Sequence, residues 1–206
     1  MVKTLDPEVV VDIGANEGQF VRSLRAHGWA GRAISVEPGT AAHAALMEAA
    51  AIDPHWTVAD RVAVGRVEGQ VEFFVSANSV SSSVRRMLAK HERAAPDSRV
   101  VRSERVTVST LDRLVSAHAP NSRVFLKIDT QGAELDVLAG ATVTLKDCVG
   151  VACEVSLVPL YQGAPSWEEV LEVLRAAGLR IWGIEAGFSD PVTGEVYQCD
   201  LLMCRG

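Results

Sequence analysis

The stretch VVVDIGANEGQF, residues 9–20, predicts how the chain begins to fold. Its first five residues are a β-branched, apolar run broken only by Asp12, which is typical of a buried strand. Gly14 and Gly18 then favour a turn, and apolar residues recur at helical spacing from Phe20 onward. A strand, a glycine-containing turn and an amphipathic helix together indicate the first unit of an α/β fold.

The same alternation recurs along the rest of the chain. The strand-like runs are RAISVEP (32–38), WTVADRVAVG (56–65), VEFFVS (71–76), ERVTV (104–108), RVFLKID (123–129), VGVACEVS (149–156), LRIWGIEAG (179–187) and VYQCDLLMC (196–204). The helix-like runs are TAAHAALMEAA (40–50), STLDRLVSAHA (109–119), AELDVLAGATVTL (133–145) and SWEEVLEVLRAAG (166–178). We expect the last two strands to pair antiparallel. Apolar strands that alternate with amphipathic helices predict a mostly parallel sheet covered on both faces, and therefore a Rossmann-like, three-layer α/β sandwich.

Residues 76–105 break this alternation and form a candidate flap or insertion within a single domain of residues 1–206. They contain a serine-rich turn, SANSVSSS, and seven basic residues against three acidic ones. The basic residues either recognise an anionic acceptor or form a solvated face. They are Arg85, Arg86, Lys90, Arg93, Arg99, Arg102 and Arg105. Because such a flap can cover a crevice at the edge of the sheet, we expect residues 79–95 to become ordered when ligands bind.

Composition and charge limit the classes of partner. The 206 residues carry a net charge of −6, which argues against a nucleic-acid surface and favours a small-molecule or oligosaccharide partner. The start of the chain lacks a signal-peptide pattern, and no run approaches the roughly 20 apolar residues of a membrane span. The four cysteines lie in apolar runs without CxxC spacing, as buried thiols of a reducing compartment do. We therefore expect a cytoplasmic protein, and a homodimer is left open.

Acidic residues stand at or just after the ends of five predicted strands. They are Asp12, Glu37, Asp60, Asp129 and Glu154. In an open parallel sheet, ligands bind outside the carboxyl ends of the strands, where the connections diverge. The pattern therefore predicts that these five residues line one crevice.

The first turn, DIGANEG (12–18), indicates which ligand enters this crevice. It departs from the dinucleotide fingerprint GxGxxG, because the second and third glycine positions hold Asn16 and Gln19. In that motif the second glycine lets the backbone approach a pyrophosphate and the third lets helix and strand pack closely. Their loss disfavours NAD and favours a nucleoside ligand without a diphosphate, such as S-adenosylmethionine.

Three carboxylates are candidates for holding this cofactor. Asp12 can face its ammonium or sulfonium charge, with a helix cap as the alternative role. Glu37 ends the second strand and can accept hydrogen bonds from both ribose hydroxyls. Asp60 can address the adenine amino group.

Six motifs in order along nearly the whole chain carry a family resemblance. They are VDIGANEGQF, SVEP, SVSSS, FLKIDTQGAELDVLAGA, EVSLVPLYQG and YQCDLLMCRG. With them the sequence resembles the FkbM family of S-adenosylmethionine-dependent methyltransferases. The resemblance implies the class I methyltransferase fold, with a mostly parallel seven-stranded sheet and an antiparallel C-terminal strand. It further implies O-methylation of a hydroxyl on a sugar, oligosaccharide, glycolipid or polyketide-type metabolite. It places cofactor positions at Asp12, Gly14, Asn16, Gly18 and Glu37, and the reaction centre at KIDTQGAE.

The stretch VFLKIDTQGAEL, residues 124–135, ends an apolar run in polar and charged side chains. Because unpaired charges are costly in a dry core, the cluster suggests chemistry rather than stability. Asp129 and Glu154 are the candidate general bases for an acceptor hydroxyl. Lys127 can orient a carboxylate or lower the pKa of the hydroxyl, and Gln131 can hold the acceptor.

Alternatives remain open for several of these residues. An oxygen-ligand site for Mg²⁺ can be built from Asp129, Glu134 and Glu154. Glu134 can instead stabilise a helix dipole, and Lys127 can reach solvent by its stem. Asp200 either pairs with Lys127 or lines the pocket, and Tyr161 either walls the acceptor site or lies in an exposed loop. At the level of function, the alternatives are an NAD-dependent oxidoreductase and a nucleoside-binding module without catalysis.

Overall fold

Ten strands and eight α-helices alternate along the chain in the computed structural model, which describes residues 1–206. The strands are β1 (Val9–Ile13), β2 (Arg32–Val36), β3 (Trp56–Val58), β4 (Val62–Val64), β5 (Gly69–Ser76), β6 (Val100–Ser109), β7 (Val124–Ile128), β8 (Gly150–Ser156), β9 (Leu179–Ala186) and β10 (Gln198–Arg205). The helices are α1 (Val2–Leu5), α2 (Gln19–Ala26), α3 (Thr40–Ala50), α4 (Ala89–Ala94), α5 (Leu111–His118), α6 (Glu134–Ala139), α7 (Thr144–Asp147) and α8 (Trp167–Ala176). None of these helices combines the length and the apolar character that a bilayer span requires.

Seven of the strands form one sheet in the order β3-β2-β1-β7-β8-β10-β9. The strands from β3 to β8 in this order run parallel, and β10 pairs antiparallel with both β8 and β9. This arrangement confirms the Rossmann-like α/β fold, including the antiparallel C-terminal strand and the pairing of the last two strands.

Side chains of the central strands alternate between two apolar cores. The odd-numbered residues of β1 and the even-numbered residues of β7 pack with α5, α6 and α8, whereas Val10 and Phe125 pack with α2 and α3. The result is three layers, with helices on both faces of the sheet. Because alternation has a period of two, Asp12 and Lys127 share the face of Val10 and Phe125, and the strand register places them side by side.

A separate three-stranded sheet, β4-β6-β5, was not expected from the sequence. Its runs were predicted as strands, but β4 leaves the main sheet after β3 and pairs with β6 instead. Long-range pairing of this kind carries no local sequence signal. The candidate flap connects β5 to β6, and its last residues, 100–105, belong to β6 itself.

Helix ends follow the local sequence signals. The side chain of Thr110 accepts a hydrogen bond from the N–H of Arg113 at the start of α5. Ser166 and Glu169 form a reciprocal capping box at the start of α8, as their spacing predicts.

Candidate functional site

A cavity of about 390 Å³ opens at the carboxyl ends of the central strands. The main sheet bounds it on one side, and β4, β5 and the serine-rich segment after β5 bound it on the other. Four of the five predicted strand-end acids line it, namely Asp12, Glu37, Asp129 and Glu154. The volume lies in the range of small-molecule and cofactor sites.

Gly14 brings the ends of β1 and β7 together. Its φ is +77°, and a Cβ at this position would overlap the carbonyl oxygen of Asp129. Gly18 also has a positive φ, but it caps α2 and packs against Trp56 instead of lining the cavity. Of the two glycines, only Gly14 therefore shapes the site directly.

Glu37 is held by two backbone N–H groups, one in the turn after β1 and one just after β2. Its Oε2 accepts a hydrogen bond of 2.9 Å from the N–H of Asn16, and its Oε1 accepts one of 2.7 Å from the N–H of Gly39. Asn16 reaches this position with a left-handed φ of 47°. Burial raises the pKa of Glu37 to about 7, although both N–H groups oppose the shift. Each carboxylate oxygen retains accepting capacity for a ligand diol.

Asp12 is almost fully buried, and its hydrogen-bonding capacity is poorly used. Its one side-chain hydrogen bond comes from the hydroxyl of Ser35, which lies 3.5 Å from Oδ2. Burial raises the pKa of Asp12 to about 7, and the positive charge of Lys127 only partly offsets this effect. The alternative role as a helix cap is wrong, because Gly18 occupies the N-cap of α2.

Asp60 does not join the other strand-end acids. It follows Ala59, which is 2% exposed and points inward, so the side chain of Asp60 points outward and is exposed. The nearby wall of the cavity is apolar instead, with Ala63, Phe73 and Val80 among its lining residues. Sequence reasoning missed this wall because it comes from the second sheet and the flap.

Lys127, the neighbour of Asp12 on β7, forms a buried ion pair at the edge of the cavity. Its Nζ lies 3.0 Å from Oδ1 of Asp200 and 3.6 Å from Oδ2 of Asp129. Burial alone would lower the pKa of Lys127, but the charges of Asp129, Asp200 and Glu154 outweigh it and raise that pKa. Lys127 therefore stays protonated, and Asp200 both pairs with it and lines the cavity.

The carboxamide of Gln131 bridges the two candidate bases. Its Nε2 donates to Oδ1 of Asp129 at 2.8 Å and to Oε2 of Glu154 at 2.5 Å. Gln131 is buried and has a left-handed φ of 55°, a conformation that is costly outside glycine. Burial, followed by the charge of Asp129, raises the pKa of Glu154 well above its usual value.

Two further residues complete this network. Gln198 donates from Nε2 to Oε2 of Glu154 at 2.7 Å and to Oε1 of Gln131 at 3.2 Å. The hydroxyl of Tyr161 lies 2.9 Å from Oε1 of Gln131 and 3.0 Å from the carbonyl oxygen of Ser81. Tyr161 is 1% exposed and does not line the cavity, so neither earlier expectation for it holds. The sequence analysis missed Gln198. The pattern that could have identified it is a second polar residue, two positions before Asp200, in an otherwise apolar strand.

The alternative Mg²⁺ site is not formed. Oε1 of Glu134 accepts hydrogen bonds from the N–H of Gly132 and the hydroxyl of Thr130, at 2.9 and 3.2 Å. Glu134 is buried and does not line the cavity, so it cannot join Asp129 and Glu154 around an ion. No group of three or more His, Cys, Asp or Glu side chains is arranged to hold a metal. Glu134 instead stabilises the turn that precedes α6.

The flap contacts the site through serines and valines rather than through its basic residues. Ser79, Val80, Ser82 and Val84 line the cavity, whereas none of the seven basic side chains does. Several of these are paired elsewhere; the guanidinium of Arg85, for example, lies 2.7 Å from Oδ2 of Asp136. Recognition of an anionic acceptor by this segment therefore has no support at the cavity, whose charged lining is mostly acidic.

Solved structures with the same fold come from distant proteins. Fibrillarin from Aeropyrum pernix, in complex with S-adenosyl-L-methionine, is 8% identical with a TM-score of 0.54, over 95% of this chain and 66% of that one. Sp1610 from Streptococcus pneumoniae, in complex with S-adenosyl-L-methionine, is 10% identical with a TM-score of 0.54, over 99% and 72%. An S-adenosylmethionine-dependent methyltransferase from Mesorhizobium loti is 12% identical with a TM-score of 0.52, over 99% and 95%. The chain thus spans about two thirds of the length of the fibrillarin it matches, and these similarities establish the fold.

Sequence comparison identifies the family. No curated protein matches the chain. A family model described as the methyltransferase FkbM domain matches residues 12–181, which include the first turn, the bridged carboxylates and the flap. The chain belongs to the FkbM methyltransferase family.

Proposed function

We propose that this protein is an S-adenosylmethionine-dependent O-methyltransferase that acts on a hydroxyl of a carbohydrate, in the form of a sugar, an oligosaccharide or a glycolipid. The observation that carries the proposal is the pair of carboxylates, Asp129 and Glu154, bridged by Gln131 and facing the same cavity as Asp12 and Glu37. One end of the cavity thus suits a cationic nucleoside, and the other end suits an acceptor hydroxyl.

The cofactor end fits S-adenosylmethionine in charge and shape. When bound, this cofactor supplies a methyl group attached to a positively charged sulfur. Glu37 would accept hydrogen bonds from the ribose hydroxyls, and Asp12 would neutralise positive charge. The apolar side chains of Ala63 and Phe73 would pack against the adenine ring. Oδ1 of Asn16 is buried without a hydrogen-bond partner, and a ligand donor would satisfy it.

The acceptor end would work mainly by positioning. Alignment of an alcohol can supply about 7 to 11 kcal/mol of a barrier, whereas a general base adds roughly 10²- to 10⁴-fold in rate. The hydroxyl would donate to Glu154 or Asp129, and its proton would pass to that carboxylate as the oxygen gains its methyl group. The positive charge of Lys127 would hold Asp129 ionised and in place. No metal ion is needed in this scheme.

A carbohydrate acceptor is favoured over a polyketide-type metabolite by the polar lining. Ser79 and Ser82 of the flap line the cavity together with Thr130 and Gln131, so several hydrogen-bonding groups face an incoming ligand. An NAD-dependent oxidoreductase is disfavoured, because the side chain of Asn16 occupies a glycine position and donates to the hydroxyl of Ser79 at 3.2 Å.

Two measurements test the proposal. Calorimetry should detect binding of S-adenosylhomocysteine and no binding of NAD. Transfer of a labelled methyl group from S-adenosylmethionine to a glycan extract should give a labelled, base-stable ether. Binding of the cofactor without any transfer, across carbohydrate and polyketide-type acceptors, would favour a binding module without catalysis.

A further inference from the structure

We propose that Gln198 is a positioning residue for this reaction: it fixes the orientation of the Gln131 carboxamide and thereby the separation of Asp129 and Glu154. The inference rests on the proposed function, because it assigns a role within the same acceptor site. Gln198 itself does not line the cavity, so it acts through its two partners.

The hydrogen-bond donors around Gln131 permit only one orientation of its amide. Its oxygen lies within reach of two donors, Gln198 at 3.2 Å and Tyr161 at 2.9 Å, and its nitrogen faces the two carboxylates. In the flipped orientation the NH₂ group would face both donors, and the oxygen would face both carboxylates. The contacts with Gln198 and with the two carboxylates would become repulsive, whereas the hydroxyl of Tyr161 can also accept a hydrogen bond.

Burial makes this arrangement costly to replace. Gln198 is 4% exposed, Tyr161 is 1% exposed and Gln131 is 8% exposed, so water has little access to the amide. A buried polar group that loses its partner retains the full cost of desolvation. The orientation of Gln131 therefore depends on the protein groups that surround it.

Gln198 is the stronger of these two determinants. Tyr161 has a single hydroxyl proton, which the carbonyl oxygen of Ser81 also attracts at 3.0 Å. Gln198 has two N–H groups and directs one to Gln131 and the other to Glu154. Tyr161 makes a hydrogen bond to Gln131 but to neither of the two carboxylates. Gln131 and Gln198 both donate to Oε2 of Glu154. Oε1 of Glu154 is therefore left without a protein partner and is available to an acceptor hydroxyl.

The variant Gln198→Leu tests the proposal, since leucine keeps a similar volume and removes both donors. Spectroscopy of the ¹⁵N-labelled wild type should show two resolved, slowly exchanging side-chain amide protons for Gln131. In the variant we expect their exchange to accelerate at least about tenfold, since the amide loses its fixed orientation. Unchanged amide signals would overturn the proposal.

Kinetics give a second readout that general destabilisation would not reproduce. With labelled S-adenosylmethionine and a glycan extract as acceptor, kcat should fall about 10- to 100-fold while the KM for S-adenosylmethionine changes less than about twofold. The acidic limb of the pH–rate profile should move to higher pH, because Glu154 loses an N–H that favours its ionised form. A wild-type kcat and pH profile would contradict the assignment.

Two further variants keep the test decisive. Gln162→Leu makes the same change at an exposed position in the loop after β8, and it should leave the Gln131 signals and the pH profile unchanged. If Gln198→Leu does not fold, Gln198→Met removes the same donors with a more flexible side chain, and the same results are expected. The amide readout requires neither cofactor nor acceptor. A wild type that transfers no methyl group would therefore refute the proposed function, whereas the Gln131 signals test the positioning separately.

Discussion

The ammonium group of Lys127 on β7 reaches across β8 to Asp200 on β10, where Nζ lies 3.0 Å from Oδ1. Ala152 is the neighbour of Lys127 on β8, and its small side chain leaves this path open. The same ammonium lies 3.6 Å from Asp129. One buried cation therefore joins carboxylates from two strands that do not touch, at the edge of the sheet where the acceptor would bind.

Replacement of Lys127 by methionine should destabilise the fold in a pH-dependent way. The change leaves Asp129 and Asp200 facing each other without a cation, at a cost on the order of 3 kcal/mol near pH 7.5. At pH 5 the loss should be smaller, because the neighbouring carboxyl groups of Asp12 and Glu154, whose pKa values Lys127 lowers, can take up protons instead. Urea unfolding at both pH values measures the difference. The double variant Lys127→Met with Asp200→Leu should recover part of the loss, and an equal loss at both pH values would contradict this role of the pair.

Gly14 should tolerate no side chain. A Cβ there would overlap the carbonyl oxygen of Asp129, and the φ of +77° is unfavourable for alanine. We expect Gly14→Ala to lower the free energy of unfolding by at least about 2 kcal/mol or to prevent folding. The matched control is Gly69→Ala, where nothing lies within 4 Å of the added Cβ, and its effect should stay within about 0.5 kcal/mol. Similar melting temperatures for the two variants would contradict the close approach of Gly14, after β1, to Asp129, after β7.

The sequence predicted the parts of the site that depend on the main sheet. Asp12, Glu37, Asp129 and Glu154 meet because parallel strands deliver their carboxyl ends to one edge, which strand patterning alone can predict. The apolar wall and the proposed role of Gln198 depend on long-range pairing of β4 with β6 and of β10 with β8. Such pairings leave no local pattern.

Substitutions at the two ends of the cavity should have different effects, one on turnover and the other on cofactor affinity. Asp129→Asn keeps an oxygen for Gln131 and removes the charge, so turnover should fall by roughly 10²-fold while affinity for S-adenosylhomocysteine stays within about twofold. Glu37→Ala removes the ligand of the ribose and should weaken that affinity at least about tenfold. Calorimetry and initial rates of labelled methyl transfer measure both effects. Reversed results would exchange the roles of the two residues.

Cofactor affinity should rise with pH around neutrality. Burial raises the pKa values of both Asp12 and Glu37 to about 7, yet ribose hydroxyls and a cationic group bind best to ionised carboxylates. Below pH 7 binding therefore has to expel protons, and affinity should fall. Calorimetry at pH 7 in buffers of different ionisation enthalpy should detect proton release, and Glu37→Gln should release fewer protons. Uptake of protons would contradict this account.

The same two groups should affect stability with the opposite sign. Their pKa values are higher in the folded protein than in the unfolded chain, so between about pH 4 and 7 the folded state binds more protons. This contribution to the free energy of unfolding is complete below pH 4 and is lost as the pH rises through 7. Compared with the wild type, Glu37→Gln should therefore lose less stability between pH 5 and pH 8, as urea unfolding would measure.

Ligands should protect the flap from proteolysis. Residues 79–95 contact the site directly; for example, the hydroxyl of Ser83 donates to the carbonyl oxygen of Gln131 at 2.7 Å. Val80 is 53% exposed although it lines the cavity, so a bound ligand would bury it and add contacts to the segment. Trypsin cleavage at the exposed Arg93 should therefore slow when S-adenosylhomocysteine and an acceptor are present.

Cleavage at Arg66, in the exposed turn between β4 and β5, serves as the internal control and should not change. Equal protection at both sites would indicate general stabilisation instead of flap ordering, and no protection at Arg93 would contradict the role of the flap.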